Sequence, residues 1–256
     1  MPSQVPAATR TLRILRTLAS ASGPMTAAAI SRELGLPRSS TYHLLTAMHE
    51  LGFVVHLPEE ERWGLGVVAF EVGAAYLRHE PLERLSRPLL KKLVKEVAPL
   101  PVAAHLGVLH GRELLYLLKE QAPRHPELVT AIGVRLPASL TASGRCILAQ
   151  LPTAQVRATF PDRLSFIDRT GRGPQSWSAL LELLAQESTD GFSTEDGFIA
   201  EGYSSVAVAV RDHLQQPIAA IGLTFATAAV TSSQRRVLTN AARQCARAIS
   251  KRLGAA

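Results

Sequence analysis

Apolar positions in the first fifty residues recur with helical spacing in three consecutive blocks. Ser22-Gly23-Pro24 ends the first block, because proline cannot continue a helix. Thr26 is a typical N-cap residue for the second block. The pattern therefore predicts three helices, over Thr9–Ala21, Ala27–Leu34 and Arg38–Leu51.

The second and third predicted helices are joined by a tight turn. Gly35 can adopt the left-handed conformation that ends a helix at low cost, and Pro37 suits the first turn of the next helix. The residues predicted to be buried on the third helix are Leu44, Leu45, Met48 and Leu51. A short helix, a glycine-containing turn and a second helix are typical of a helix-turn-helix, in which the second helix lies in the major groove of DNA.

Two short strands around a turn follow the third helix and predict a wing. They cover Phe53–Leu57 and Trp63–Leu65, and the turn between them ends at Arg62, which can reach the DNA backbone or the minor groove. Hydroxyls at a helix N-terminus can donate to phosphates. Arg38 can bind either a guanine base or a phosphate, and the sequence does not distinguish the two contacts. The candidate DNA-binding residues are Thr26, Arg38, Ser39, Ser40, Thr41, Tyr42, His43 and Arg62. The alternative is a three-helix packing module whose small polar residues are only caps.

Charge supports DNA contact locally but not globally. The formal net charge is +7, and most of the excess lies after residue 62. Residues 1–49 nevertheless contain five arginines against a single acidic residue, Glu33. The DNA-binding prediction therefore depends on where the arginines lie, and the overall charge adds little to it.

The stretch GVVAFEVGAAYLRH (66–79) is apolar, is rich in small residues and has helical spacing. An exposed apolar helix between two domains indicates a dimer interface. A second helix is predicted over 82–99, with Leu85, Leu89, Leu93 and Val97 inside and basic residues outside. Such a basic face is usually a solvated surface.

Beyond Pro99 the pattern changes to strands that alternate with helices. The predicted strands are Val102–Leu109, Glu113–Leu118, Leu128–Ile132, Val206–Val210 and Ile218–Phe225. The predicted helices are Thr141–Leu151, Leu180–Gln186 and Ser233–Leu253. This mixture in about 170 residues predicts a single α+β sheet domain.

The run TAAAISRELGLPRSSTYHLLTAMHELGFVVHLPEEERWGLG resembles the DNA-binding domain of the IclR family of bacterial regulators. Leu136–Pro152 and Gly191–Phe225 are similar to the two signature regions of that family's effector domain. The resemblance implies a winged helix-turn-helix domain over 1–65, a linker helix over 66–80 and a GAF-like effector-binding and oligomerisation domain over 81–256. It also implies self-association as a dimer or tetramer.

The same resemblance implies an effector site. The residues that match its ligand-lining positions are Ala142, Ser143, Glu195, Ser205, Gly222 and Thr224. The chain departs from the family where Asp, Cys and the first Ser are replaced by Glu195, Ser205 and Gly222, and His43 replaces the usual Arg of the recognition helix. We expect a small organic metabolite, with carboxylates and aromatic compounds both open. The alternative is that Ser205 and Thr224 are satisfied core groups without a ligand.

Three patterns suggest other chemistry, and each has a simpler explanation. Gly64–Ala69 fits a loose dinucleotide-binding pattern but follows a wing strand. His105 and His110 lie five apart on or near a predicted strand, hence on opposite faces, which is poor geometry for one metal ion. Cys146 together with His105 or His110 suggests thiol catalysis. It lies among small and apolar residues, however, so we expect it to be buried.

These expectations lead to one leading function. We expect a ligand-responsive transcription regulator in the cytoplasm that binds double-stranded operator DNA and a small metabolite. We expect no catalytic residue, metal ion or cofactor, and no membrane span, because no run of eighteen apolar residues occurs. The alternatives are a constitutive DNA-binding oligomer without ligand and an enzyme with a DNA-binding head.

Overall fold

The computed structural model describes residues 5–79, 81–122 and 131–255. Contacts within the chain divide it into two compact units, Met1–Glu80 and Pro81–Ala256. The elements of the first unit are α1 (Pro6–Ser20), β1 (Met25–Thr26), α2 (Ala27–Leu34), α3 (Arg38–Glu50), β2 (Val54–Leu57), β3 (Arg62–Leu65) and α4 (Val67–His79). A 3-10 turn, Pro58–Glu60, connects β2 and β3. Among the described residues the three strands form an antiparallel sheet in the order β1-β3-β2.

The boundaries of α2 agree with the prediction, and the local contacts explain why. The Thr26 hydroxyl accepts a hydrogen bond from the Ala29 N–H at 3.2 Å, which caps the helix start. Gly35 has a φ of 64°, so the chain turns sharply at the helix end. Ser31 is buried, and its hydroxyl donates to the Leu36 carbonyl at 2.6 Å. The conformation of Gly35 and the hydrogen bond from Ser31 to Leu36 therefore fix the turn between α2 and α3.

The core of this unit joins helices α1, α2 and α3 to the wing strands β2 and β3. Its buried members are Ile14, Leu18, Ala27, Ile30, Leu45, Met48, Val54 and Trp63. The predicted burial of Leu51 is wrong, because its side chain is 68% exposed. Helix α3 ends at Glu50, and Gly52, with a φ of 73°, turns the chain so that Phe53 packs against the core instead.

The second unit contains eleven helices and strands within the described residues. They are α5 (Pro81–Glu96), β4 (Val102–His110), β5 (Glu113–Gln121), β6 (Arg135–Pro137), α6 (Ala142–Leu148), α7 (Thr153–Thr159), α8 (Trp177–Asp190), β7 (Ser193–Asp196), β8 (Tyr203–Arg211), β9 (Pro217–Ala226) and α9 (Ser232–Arg252). Short 3-10 turns lie at Arg163–Ser165 and Thr227–Ala229. The six strands form one antiparallel sheet in the order β6-β5-β4-β9-β8-β7.

Helices cover both faces of this sheet. Apolar residues of α5 and α9 pack with one face in the largest core cluster, which includes Leu90, Leu93 and Ile249. Helix α6 packs on the other face, where Ala142 and Cys146 contact small residues of the central strands. The α+β class is confirmed.

Several differences from the predicted elements concern short or irregular segments. Strands β6 and β7 and helix α7 were not predicted, and in α5 the side chains of Leu85 and Leu89 are only half-buried. The predicted strand Leu128–Ile132 lies mostly outside the described residues, and Ile132 itself is in a turn.

Candidate DNA interface and effector-binding face

Helix α3 begins with free backbone donors. Pro37 precedes it, and a proline side chain cannot accept a hydrogen bond from the first turn. The Thr41 N–H donates to the Pro37 carbonyl at 3.0 Å, so the amides of Arg38, Ser39 and Ser40 precede the first intrahelical bond. Such donors at a helix N-terminus suit a phosphate group.

The exposed face of α3 carries most of the predicted DNA-binding side chains. Arg38, Ser39, Tyr42 and His43 are exposed, and Ser40 is half-buried. Thr46 lies one turn after Tyr42, is also exposed and was missed by the sequence analysis. The helical spacing of four residues from Tyr42 is the signal that would have found it.

Thr41 differs from its neighbours in the predicted set. It is fully buried, and its hydroxyl donates to the Pro37 carbonyl at 3.1 Å. A direct phosphate contact needs an exposed hydroxyl, so the prediction for the Thr41 side chain does not fit this structure. Thr41 instead connects the start of α3 to the turn before it.

The remaining two predicted DNA-binding residues have structural contacts of their own. Thr26 is half-buried and caps α2. Arg62 is exposed on the wing, donates to the Pro24 carbonyl at 2.9 Å and lies 4.0 Å from a Glu60 carboxylate oxygen. These contacts hold the wing against the segment before α2 and orient the guanidinium of Arg62.

In the second unit, three of the predicted effector residues form one row across the sheet. Glu195 of β7 lies opposite Ser205 of β8, and Ser205 lies opposite Thr224 of β9. Residues directly opposite in an antiparallel sheet point to the same face. The Ser205 and Thr224 hydroxyl oxygens are 3.0 Å apart. Both side chains are half-buried, so this end of the row is open to solvent.

The other three predicted effector residues meet on the same face. A Cβ at Gly222 would overlap the Ser143 hydroxyl oxygen and would lie 3.8 Å from the Ser143 Cβ. Thr141 caps α6 by accepting from the Gly144 N–H at 3.0 Å, which orients Ser143 toward the sheet. Ala142 is buried in the adjoining apolar cluster. The structure therefore brings all six predicted residues to the side of the sheet that α6 covers.

The Glu195 carboxylate organises the loop after β7. One of its oxygens accepts hydrogen bonds from the Phe198 N–H at 2.6 Å and the Ile199 N–H at 3.2 Å. Burial raises the pKa of Glu195, while the backbone donors and the Ser205 hydroxyl act in the opposite direction. A structural role for Glu195 is thus present without any ligand.

Three further side chains lie on this face that the sequence analysis did not assign to it. His105 lies opposite both Gly222 and Lys119, and its ring lies 4.9 Å from that of Tyr116. Burial, followed by the charge of Lys119, lowers the pKa of His105 to about 3, so its imidazole is neutral. The pairing register of β4 with β5 and β9 brings these residues together, and this register cannot be predicted from one sequence alone.

A buried ion pair fixes α6 against its neighbours. The Arg145 guanidinium donates to both oxygens of Glu187 at 3.0 and 3.2 Å and also donates to the Thr194 carbonyl. Its Cζ atom lies 5.0 Å from the centre of the Phe198 ring. Because removal of either charge would leave the other buried and unpaired, this pair locks α6 to α8 and β7.

The patterns that suggested other chemistry have structural explanations. Cys146 is buried, its thiol donates to the Ser143 carbonyl at 3.3 Å, and burial raises its pKa. Gly66 packs against the Gly52 carbonyl, where a side chain would not fit. Within the described residues, His, Cys, Asp and Glu form no group of three that could hold a metal ion. In the same part of the chain, no helix combines the length and apolar character needed to cross a bilayer.

Two family models match the chain in succession. The model of the IclR helix-turn-helix domain matches residues 7–58, and that of the C-terminal domain of bacterial IclR transcriptional regulators matches residues 74–251. The chain belongs to the IclR family. It is therefore a DNA-binding transcriptional regulator with an N-terminal helix-turn-helix domain and a C-terminal effector domain.

Individual relatives of this IclR-family regulator extend over nearly its whole length. It is 29% identical to the glycerol operon regulatory protein of Streptomyces coelicolor, covering 96% of this chain and 95% of that protein. It is 28% identical to the transcriptional repressor IclR of Escherichia coli, covering 90% and 84%. An IclR homologue of Microbacterium hydrocarbonoxydans, solved with 4-hydroxybenzoate, has the same fold, with a TM-score of 0.81, 21% identity and coverage of 96% and 98%.

Proposed function

We propose that this IclR-family regulator binds a small organic acid on the sheet face covered by α6, and that the bound ligand changes its affinity for operator DNA or its activity there. The observation that carries the proposal is the contact between Ser143 and Gly222. It joins the start of α6 to β9 two residues before Thr224, whose half-exposed hydroxyl lies beside that of Ser205. A ligand at that end would contact the strands and α6 together.

The chemistry of this face supports a carboxylate with an apolar or aromatic body. Ser205 and Thr224 offer hydroxyls, Lys119 offers a half-buried cation, and the neighbouring rings of His105 and Tyr116, both buried, add aromatic groups to this face. The relative solved with 4-hydroxybenzoate has this kind of ligand. Glu195 already accepts two backbone hydrogen bonds, so we assign it the positioning of the loop that contains Phe198.

For the DNA interface we propose that α3 lies in the major groove. Arg38, Ser39, Tyr42 and His43 would face bases and phosphates there, and Ser40 would contribute its half-buried hydroxyl together with its backbone N–H. The wing residue Arg62 and the α2 cap Thr26 would lie beside the phosphate backbone.

We further propose that two copies associate through α4. Its exposed apolar residues include Val67, Phe70 and Val72. A two-fold dimer would match a pseudo-palindromic operator, and pairs of dimers would form a tetramer. A regulator of this kind works on chromosomal DNA in the cytoplasm and needs no catalytic residue.

Gel-shift titration with the DNA upstream of its own gene tests the DNA-binding part. We expect salt-sensitive, sequence-preferring binding at nanomolar to micromolar protein. The double variant Arg38→Ala/Ser40→Ala should abolish the shift and keep the fold. Unchanged binding by that variant would contradict the placement of α3.

A thermal-shift screen of small carboxylates, beginning with 4-hydroxybenzoate, tests the ligand part. We expect a compound that raises the melting temperature and also changes DNA affinity, because the two sites are coupled. DNA binding that no compound alters would favour a constitutive oligomer. Chemical turnover of a bound compound would favour an enzyme with a DNA-binding head.

A further inference from the structure

The sheet of the second unit has an uncovered edge beside its longest helix. Strand β9 pairs with one side of Val208–Arg211 in β8. On the other side β7 pairs with β8 only as far as Ser193 opposite Ala207, so in the described part of the chain no strand covers that side of Val208–Arg211. A cleft of about 740 Å³ follows this edge, between the end of α6, the end of α8 and one side of α9. Ligand pockets usually have volumes of about 300–1,000 Å³.

The cleft is lined by four cations and one acid. The cations are Arg211, Arg243, Arg247 and Lys251. The acid, Glu187, already pairs with the buried Arg145. Among the described residues, the salt bridges involve Arg62, Arg87, Lys92, Arg135 and Arg145, and none involves a cation of the cleft. The cleft therefore has an excess of positive charge that the described residues do not neutralise.

Three of these cations lie on one side of α9. Arg243, Arg247 and Lys251 are spaced four residues apart, and like charges at this spacing repel each other. The sequence of α9 contains no acidic residue. The helix dipole favours Lys251 in the last turn, but its effect does not reach Arg243, more than two turns from the helix end. A bound anion would relieve this repulsion.

The innermost cation is already held in place. Arg243 is half-buried, donates to the Asp190 carbonyl at 3.4 Å and to the Asn240 side-chain oxygen at 3.2 Å, and lies 5.7 Å from the centre of the Phe192 ring. Ser250 accepts a hydrogen bond from the Arg211 N–H at 2.8 Å, which joins the strand edge to the helix. A guanidinium fixed in this way loses little side-chain entropy when it binds an anion.

We propose that this cleft is a second ligand site, which binds a small multivalent anion bearing phosphate groups or several carboxylates. The guanidinium of arginine binds phosphate and carboxylate groups through paired, charge-assisted hydrogen bonds. The site is distinct from the effector-binding face, because it lies along the edge of β8 and its cations come from α9 and from the end of β8.

Helix α6 connects the two sites. Its residue Cys146 and the following Gln150 line the cleft, whereas Ser143 of the same helix contacts Gly222 on the effector-binding face. An anion that shifts the end of α6 would change effector affinity, and the effector would change anion affinity by the same factor.

Isothermal titration calorimetry of the full-length protein with pyrophosphate and, separately, citrate tests the proposal. We expect saturable binding of at least one probe, and the comparison shows whether phosphate or carboxylate is preferred. The variant Arg247→Gln/Lys251→Gln removes two charges from exposed helix positions without removing helix-forming residues. We expect it to bind the preferred probe at least about tenfold more weakly, since charge-assisted contacts are lost.

The matched control is Arg84→Gln/Lys91→Gln, which removes two exposed charges from α5. We expect it to bind as tightly as the wild-type protein. Equal losses of anion affinity in both variants would indicate a general charge effect and would overturn the proposal. The absence of saturable binding by the wild-type protein would also overturn it. The readout is direct anion binding, so it stays valid even if no effector is ever found for the other face.

Discussion

The Ser143 hydroxyl oxygen occupies the space that a side chain at Gly222 would need. The two residues come from α6 and β9, and the Ser143 Cβ and Ala207 Cβ lie 3.8 and 3.9 Å from the position of a Cβ on residue 222. Only the hydroxyl oxygen is in conflict with such a Cβ. The glycine therefore lets α6 approach the sheet with a polar group at the contact.

Gly222→Ala should consequently destabilise the second unit by about 1–3 kcal/mol through overpacking. We expect it also to weaken any effector response, because α6 must move away from β9. Urea denaturation measures the first effect, and ligand-induced thermal shift measures the second.

The double variant Ser143→Ala/Gly222→Ala is the control for this prediction. Without the hydroxyl oxygen, the remaining distances are ordinary van der Waals contacts, so most of the lost stability should return. Additive losses from the two single substitutions would show that they do not share this contact.

Glu195→Gln should change the pH dependence of stability. Burial places the pKa of Glu195 above its ordinary value of 4.5, so the folded protein holds a proton that the unfolded chain has released. The contribution of Glu195 to the free energy of unfolding therefore falls as pH rises from 4.5 through the raised pKa. Glutamine can still accept from the Phe198 and Ile199 N–H groups but has no charge.

The variant should thus gain stability relative to the wild-type protein across that interval. Urea denaturation at a series of pH values measures the difference between the two proteins. A difference that stays constant, or that shrinks with rising pH, would contradict the assigned direction of the Glu195 pKa.

The helix-turn-helix could be predicted from the sequence because its determinants are local. The Thr26 cap, the left-handed Gly35 and Pro37 each act within a few residues, so α2 and the start of α3 agree with the prediction. Leu51 was placed incorrectly because the apolar repeat does not show that the helix ends one residue earlier.

The effector-binding face could be predicted only in part, because it depends on strand register. The family resemblance identified six effector residues, including Ser143 and Gly222. It did not identify His105 and Lys119, because their position on this face follows from the pairing of β4 with β9 and β5. The cleft at the edge of β8 depends on the length of β7, a strand that the pattern did not predict.

Phe70→Glu should prevent self-association through α4. The Phe70 side chain is 75% exposed. In a two-fold dimer through α4, one Phe70 from each subunit would be buried, so its contribution to the free energy of association would be doubled. We expect the dimer dissociation constant to rise by at least about 100-fold, since burying the two phenylalanines together contributes about 3–6 kcal/mol. Analytical ultracentrifugation measures the change. Leu164→Glu, at an apolar residue that is exposed in the other unit, is the control and should leave association unchanged.

Arg38→Ala should distinguish the two possible contacts of the first residue of α3. If Arg38 binds a phosphate, affinity falls similarly for all DNA sequences and the slope of log affinity against log salt decreases by about 1. If Arg38 reads guanine, specific binding weakens by about 1–3 kcal/mol and preference at one base position relaxes. Fluorescence anisotropy with operator and scrambled DNA at several salt concentrations measures both quantities. Arg163→Ala removes an exposed arginine from the other unit and should change neither, so an equal effect of both substitutions would refute the placement of Arg38 at the DNA.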